Sequence, residues 1–198
     1  RGRMQPGEDA SARRRKLHML HGIWWDWSSP RHPGFQPSVR VRPELLADRA
    51  TVDALVGAAF GQQAEVRLVQ ALRGEPGVNS LVAERDGEVV GHCMLSPVHA
   101  PMRACALAPV AVHPDQQRRG VGGALVEAAL KTAWVDHAAC FVLGSPRYYG
   151  AWFDQAPPRW ICPWPAPVDA FQVAFANPRL AAGTRDGPIT YPMAFAAV

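Results

Sequence analysis

Between an apolar strand candidate and an alanine-rich helix candidate lies Gln117-Arg118-Arg119-Gly120-Val121-Gly122-Gly123-Ala124-Leu125, a stretch that leaves the chain few ways to fold around it. Glycine tolerates positive φ and lets a ligand approach the backbone closely. The N–H groups at a helix start have no partner inside the helix, and the helix dipole puts roughly half a positive charge there. A strand, a polar loop and a glycine-rich helix start therefore make an anion site, with pyrophosphate as a natural guest. Arg118 and Arg119 add cationic reach toward further phosphate oxygens. Spacing narrows the reading. A Walker loop needs Lys-Ser or Lys-Thr after its last glycine, and no such pair follows here. A dinucleotide loop needs a glycine at position 125, where Leu125 stands. What remains is Q-x-x-G-x-G, fixed by Gln117, Gly120 and Gly122, with Val121, Gly123 and Ala124 completing the set of backbone donors.

The flanking sequence places this loop in a larger plan. Val39 to Arg42 alternates as a first strand, and Pro43 to Phe60 carries apolar residues at helical spacing. A second helix is predicted over Ala64 to Arg73. Leu81 to Arg85 and Glu88 to Leu95 read as strands joined by Asp86-Gly87, the two-residue turn that hairpins prefer. Ala104 to His113 enters the loop as a strand, and Gly122 to Trp134 leaves it as a helix. Cys140 to Leu143 reads as a short buried strand and Pro146 to Phe153 as a two-turn helix with proline at its start. Ala170 to Phe175 and Ile189 to Phe195 read as closing strands. The order predicts an α/β fold with a mixed sheet and a hairpin at its centre.

A chain of 198 residues, 48% hydrophobic, suits one domain with a real core, expected over residues 39–198. Residues 1–38 read as a leader: Arg13 to Lys16 is a basic run, Trp24, Trp25 and Trp27 crowd together, and Pro30, Pro33 and Pro37 follow. Leu17 to Trp27 holds two histidines and Asp26 and no small-residue cleavage site, unlike a secretory signal. Residues 1–42 carry nine Lys/Arg against three Asp/Glu, and the rest twelve against fourteen. An aromatic, basic arm suits single-stranded nucleic acid, but the acidic balance of the body does not, so nucleic acid is not an expected partner. Cys93, Cys105, Cys140 and Cys162 are scattered with no C-x-x-C pair, which fits a reducing, cytoplasmic compartment. Apolar runs fall short of the roughly 18 residues of a membrane helix, and no membrane association is expected. His92 and Cys93 are adjacent on a strand and face opposite ways, so no metal site is expected.

V-A-V-H-P-D precedes the loop, A-L-V-E-A-A-L continues its helix, and L-V-A-E-R-D-G-E-V-V-G-H forms the hairpin upstream. With the Q-x-x-G-x-G loop, this pattern resembles the GNAT superfamily of N-acetyltransferases over roughly Val39 to Phe175. F-V-L-G-S-P-R-Y-Y and the later C-P-W-P look closest to its bacterial YhbS-like subgroup. The resemblance implies a GNAT-like fold whose central sheet is split beside the loop. It also implies acetyl-CoA as cosubstrate, its pyrophosphate in the loop and its pantetheine arm along the backbone of Val110, Ala111 and Val112. The implied activity is direct acetyl transfer to a primary amine of a small molecule or peptide, the acceptor unidentified, in a monomer or homodimer. A non-catalytic acyl-CoA-binding or sensing domain is the alternative.

Amine chemistry sets two demands. An amine with an ordinary pKa near 10.4 is about one part in a thousand neutral near pH 7.4, a barrier of about 4 kcal/mol, and the departing thiolate benefits from a proton donor. The resemblance places a general acid at Tyr148 or Tyr149, which point about 100° apart on a helix, so one of them faces the sulfur. Candidate bases are Glu84, on the hairpin, and His113, at the end of the strand entering the loop; a water relay needs neither. The family's Gly-Phe turn is missing from Tyr148-Tyr149-Gly150-Ala151-Trp152-Phe153-Asp154, which leaves open how the last strands dock.

Overall fold

The computed structural model of the chain describes residues 39–180 and 187–197. The leader, with its basic run and tryptophans, lies outside the described residues. Strands β1 (Val39–Pro43), β2 (Asn79–Arg85), β3 (Glu88–Val98) and β4 (Ala104–Val112) pair antiparallel in succession. β5 (Ala139–Leu143) joins β4 in parallel, and β8 (Phe171–Phe175) and then β6 (Asp154–Gln155) continue the sheet antiparallel. The seven strands stand in the order β1-β2-β3-β4-β5-β8-β6. The Asp86-Gly87 hairpin forms as predicted, both turn residues adopting positive φ.

The two faces of the sheet carry different helices, because successive strand residues point to opposite sides. On one face, Val52, Leu55 and Val56 of α1 (Arg49–Phe60) and Val66, Val69 and Leu72 of α2 (Ala64–Leu72) pack on Val82, Met94 and Ala111. On the other, Val121, Leu125, Val126 and Ala129 of α3 (Val121–Asp136) pack on Leu81, Cys93, Leu95 and Leu107. Gly91 sets the closeness of that second contact: a Cβ there would come within 2.8 Å of Val121 and 2.9 Å of Leu125. Full burial of a leucine such as Leu125 stabilises the fold by about 1.5–3 kcal/mol.

Three expected boundaries move. The first helix begins at Arg49 and not at Pro43, because Pro43 closes β1 and residues 46–48 form a single 3-10 turn. The Asp48 carboxylate holds that turn, accepting from Leu45 N at 2.7 Å and from Arg42 at 2.6 Å, a local side-chain contact that competes with helix. α4 spans only Pro146–Tyr149, and the chain turns at Gly150 to bury Phe153 against Tyr149. Ile189 to Phe195 is not a strand. β9 (Gly187–Pro188) pairs with β7 (Trp160–Ile161), Thr190 bridges to His99, and Met193–Ala197 coils as a 3-10 turn. Pro192 lacks the N–H that a strand would need at that point.

The sheet is split. β4 meets β5 only through Ala104–Ala106 and Ala139–Phe141. Beyond that, β5 turns its pairing to β8 alone and β4 keeps only β3. A bulge marks the parting: Val110 lies opposite Cys93 and Leu107 opposite Leu95, so Ala108 and Pro109 together face Met94. A bulge of this kind bends its strand and increases local twist, and the free edge of Val110–Val112 is left bordering a wedge between β4 and β5.

Candidate active site

The loop after β4 is held in shape by contacts that the sequence did not disclose. His113 closes the strand, its Nδ1 accepting from Asp115 N at 3.4 Å above a 3-10 turn over Pro114–Gln116. Gln117 Nε2 donates back to Val112 O at 3.2 Å, tying the motif glutamine to the end of β4. Arg118 (φ 58) and Gly120 (φ 83) both take left-handed backbone, an alternation that turns successive N–H groups into one concavity. For Arg118, a non-glycine residue, that conformation is strained. Ala124 N is the first helix donor with an intrahelical acceptor, Gly120 O at 3.0 Å. The amides of residues 118–123 have no acceptor among the described residues, and they lie at the positive end of α3. Strand, loop and helix thus gather these amides into one cradle, with Arg118 and Arg119 exposed beside it.

Arg85, at the end of β2, braces this cradle from behind. It is 7% exposed; its guanidinium donates to Gln116 Oε1 at 2.9 Å and to Arg119 O at 3.0 Å. The sequence shows Arg85 only as the residue before a hairpin turn. A buried arginine reaching a loop some thirty positions away leaves no local pattern.

The glycines of the motif divide their work. Gly120 supplies the left-handed cap of α3. Gly122 makes room: a Cβ there would collide with the Tyr148 hydroxyl, and one on Gly123 would lie 3.5 Å from the Trp152 ring. Tyr148 is 42% exposed and stands over the first turn of α3. Tyr149 turns the other way, against Gly144 and edge-on to Phe153 at 5.9 Å, packed on the α3-side core. The 100° between neighbours on a helix thus separates the two tyrosines into one facing the cradle and one facing the core. Burial pushes the Tyr148 hydroxyl up to about 12, and burial with the adjacent Tyr148 raises Tyr149 further. Both stay protonated at neutral pH.

The two candidate bases fall elsewhere. Glu84 sits on β2, two strands or about 10 Å from the split, and Arg42 engages both its oxygens at 3.1 and 3.3 Å. His113 is part of the loop cap and lies 3.8 Å from Asp115. A buried polar cluster that the sequence did not single out lies on the α1 and α2 face. Arg73 holds Glu44 and Asp53, each at 2.7 Å, Glu44 accepts from Ser80 Oγ at 2.5 Å, and Ser80 Oγ lies 2.8 Å from His92 Nε2. Burial lowers the His92 imidazole to about 4, with Glu44 opposing that shift and Arg73 adding to it. Cys93 points to the other face, into the α3-side core, where burial raises its thiol to about 12.

The sheet parts beside the glycine-rich loop, and a free strand edge leads from that loop to a bulge. The sequence profile described as the acetyltransferase (GNAT) family matches residues 49–145. The N-acetyltransferase YhbS of Escherichia coli strain K12 is 33% identical over 142 residues, covering 67% of this chain and 84% of that protein. The crystal structure of E. coli YhbS in complex with CoA superposes with a TM-score of 0.75 at 29% identity, covering 83% of this chain and 96% of that one. A GNAT acetyltransferase from Brucella melitensis, solved with acetyl-CoA, gives a TM-score of 0.63 at 30% identity over 79% of this chain and 97% of that one. The chain belongs to the GNAT acetyltransferase family. It is an enzyme of that class, and the split sheet and flanking helices are the family fold. Among the described residues no helix is long and apolar enough to cross a membrane.

Proposed function

We propose that residues 39–198 transfer the acetyl group of acetyl-CoA to a primary amine of a small molecule or peptide by direct attack. The observation that carries this reading is the alignment of three features at one end of the sheet: the cradle amides of residues 118–123, the free edge of Val110, Ala111 and Val112, and the Tyr148 hydroxyl over Gly122. The pyrophosphate of acetyl-CoA sits on the amides of Gly120 to Gly123, with Arg118 and Arg119 closing on its oxygens and Gln117 holding the loop to β4; Ala124, expected among the donors, is excluded because its N–H is spent on Gly120 O. The pantetheine arm follows the β4 edge toward the Ala108–Pro109 bulge, which brings the thioester into the wedge. The neutral amine attacks the carbonyl carbon, the C–N bond forms, the nitrogen gives up its surplus proton to water, the C–S bond breaks, and Tyr148 protonates the departing thiolate and regains its proton from water. Tyr149 supports α4 from the core side. Glu84, with both oxygens held by Arg42, has no part in the proposed chemistry.

Calorimetric titration of CoA tests the binding half. A Gly120→Glu plus Gly122→Glu variant places carboxylates where the phosphates go, and affinity should collapse; unchanged affinity rejects the cradle assignment. Thiol release from acetyl-CoA, screened against alkylamines, amino acids, aminoglycosides and peptides, tests the other half. Tyr148→Phe should lose turnover by about 10²-fold while keeping CoA affinity, and Tyr149→Phe should keep turnover. A chain that binds CoA but releases no thiol with any amine would be an acyl-CoA-binding domain and not a transferase.

A further inference from the structure

We propose that Trp152 is a stacking platform for the adenine of acetyl-CoA, holding the nucleotide arm of the cosubstrate where it leaves the cradle on the side away from β4. The inference rests on the acetyl-CoA reading above, and it gives a use to the stretch after Tyr149 in which the family's Gly-Phe turn is missing.

The turn after α4 fixes the indole in place. Tyr149 O accepts from Trp152 N at 2.9 Å and from Phe153 N at 3.0 Å. Gly150 folds back so tightly that a Cβ on it would come within 2.6 Å of Pro146 O. Phe153, 3% exposed, is sunk in the core beneath α3 and ties down the residue next to Trp152. Trp152 itself is half-buried: it packs against that same core and keeps part of its surface in solvent.

The indole borders the cradle. The space that a side chain on Gly123 would take is bounded by Trp152 Cζ2 and Cη2 at 3.5 and 3.6 Å, and Gly123 N is one of the amides with no acceptor among the described residues. The Tyr148 ring stands 5.8 Å away, tilted by 57°. Among the described residues, no ring is stacked on Trp152.

Two neighbouring glycines tell the arms of the carrier apart. A pyrophosphate joins pantetheine at one end to adenosine at the other, so a carrier seated on the amides sends one arm to each side. Gly122 looks toward β4: a Cβ there would lie 3.6 Å from Val112 Cγ2, on the side where Val110 to Val112 offer their free edge to the pantetheine. Gly123 points about 100° further round the helix. Apart from its own helix, the position of its Cβ has no strand atom within 4 Å, only the Trp152 ring. The arm that does not follow β4 therefore leaves past Trp152. That arm carries a purine, and a purine stacks through its π-face on an aromatic side chain with no need of a matching hydrogen-bond pattern.

Titration calorimetry with three ligands tests the assignment: CoA, adenosine 3′,5′-bisphosphate, which has no pantetheine, and 4′-phosphopantetheine, which has no adenosine. Trp152→Ala should weaken CoA and the bisphosphate by about 10- to 100-fold, the range that loss of one base-aromatic stack gives, and leave phosphopantetheine unchanged. Trp152→Phe keeps a ring and should recover most of what Trp152→Ala loses. Fluorescence reads the contact directly. CoA should quench the tryptophan emission of the parent, phosphopantetheine should not, and the quench should be absent from Trp152→Phe, which keeps the test decisive even if Trp152→Ala does not fold. Unchanged CoA affinity in Trp152→Ala, an equal loss for phosphopantetheine, or the same quench in Trp152→Phe as in the parent overturns the platform and leaves Trp152 a packing residue. A parent chain that binds no CoA at all is a failure of the cradle reading itself, and is distinct from these.

Discussion

Gly122→Ala separates the two jobs that the motif glycines perform. A Cβ at this position overlaps the Tyr148 hydroxyl, while Tyr148 Cζ lies 3.4 Å away, an ordinary contact. Alanine in a helix is worth about 0.5–1 kcal/mol over glycine. Displacing a partly exposed tyrosine from its rotamer costs about 0.5–1.5 kcal/mol. The two nearly cancel, so the single variant should keep its stability within about 1 kcal/mol of the parent. In a Tyr148→Phe background the colliding atom is gone, and the same substitution should stabilise by its helix gain alone. The cycle of four proteins should therefore show a coupling of about 0.5–1.5 kcal/mol in urea unfolding, above the 0.3–0.5 kcal/mol scatter of independent sites. Turnover should behave differently from stability: a misplacement of about 1 Å at the acid costs about 10²-fold in kcat, while the backbone donors to pyrophosphate stay in place and CoA affinity holds. Additive stabilities together with an unaltered kcat would falsify the placement of Tyr148 over the cradle.

Arg85→Ala should weaken CoA binding about tenfold by freeing Gln116 and Arg119 from their brace, with a stability loss of about 1–3 kcal/mol for a charge-assisted contact; calorimetry and urea unfolding measure the two. Acid should act through His92. Its folded-state value of about 4 lies below the ordinary 6.5, so the unfolded chain takes up the proton first as pH falls through that window. The stability held by the neutral imidazole is then lost, by about 2 kcal/mol between pH 7 and pH 5. Urea midpoints at the two pH values should show this loss in the parent and not in His92→Gln.

What the sequence discloses about this molecule is what local chemistry dictates. Asp86-Gly87 forces a hairpin because both positions need positive φ, and Gly120 to Gly123 force an open helix start because side chains would close it. The apolar alternation of Ala104 to His113 gives the strand between them. The elements that moved did so through contacts from elsewhere or through a proline: Asp48 and Arg42 hold residues 46–48 out of α1, and Pro192 breaks the expected last strand. The site residues that stayed hidden are the long-range ones. Arg85 meets Arg119 across 34 positions, and Glu44 meets Ser80 across 36; no window of sequence contains both partners. Glu84 drew attention as a carboxylate on a central hairpin, yet its neighbour across β1 is the arginine strand, and Arg42 claims it.

The division of the sheet decides which side chains stand near the wedge. Tyr148 stands over the first turn of α3, and that helix packs on the face carrying Leu81, Cys93 and Leu107. His92 lies on the opposite face, beneath α1 and α2, because it alternates with Cys93 along β3. Its side chain is fully buried there, within the cluster of Ser80 and Glu44. Of the polar side chains that the two faces carry, the half-exposed Tyr148 is therefore the one that both borders the loop after β4 and meets solvent. The proposed transfer assigns it the proton of the leaving thiol for that reason, and Tyr148→Phe tests the assignment.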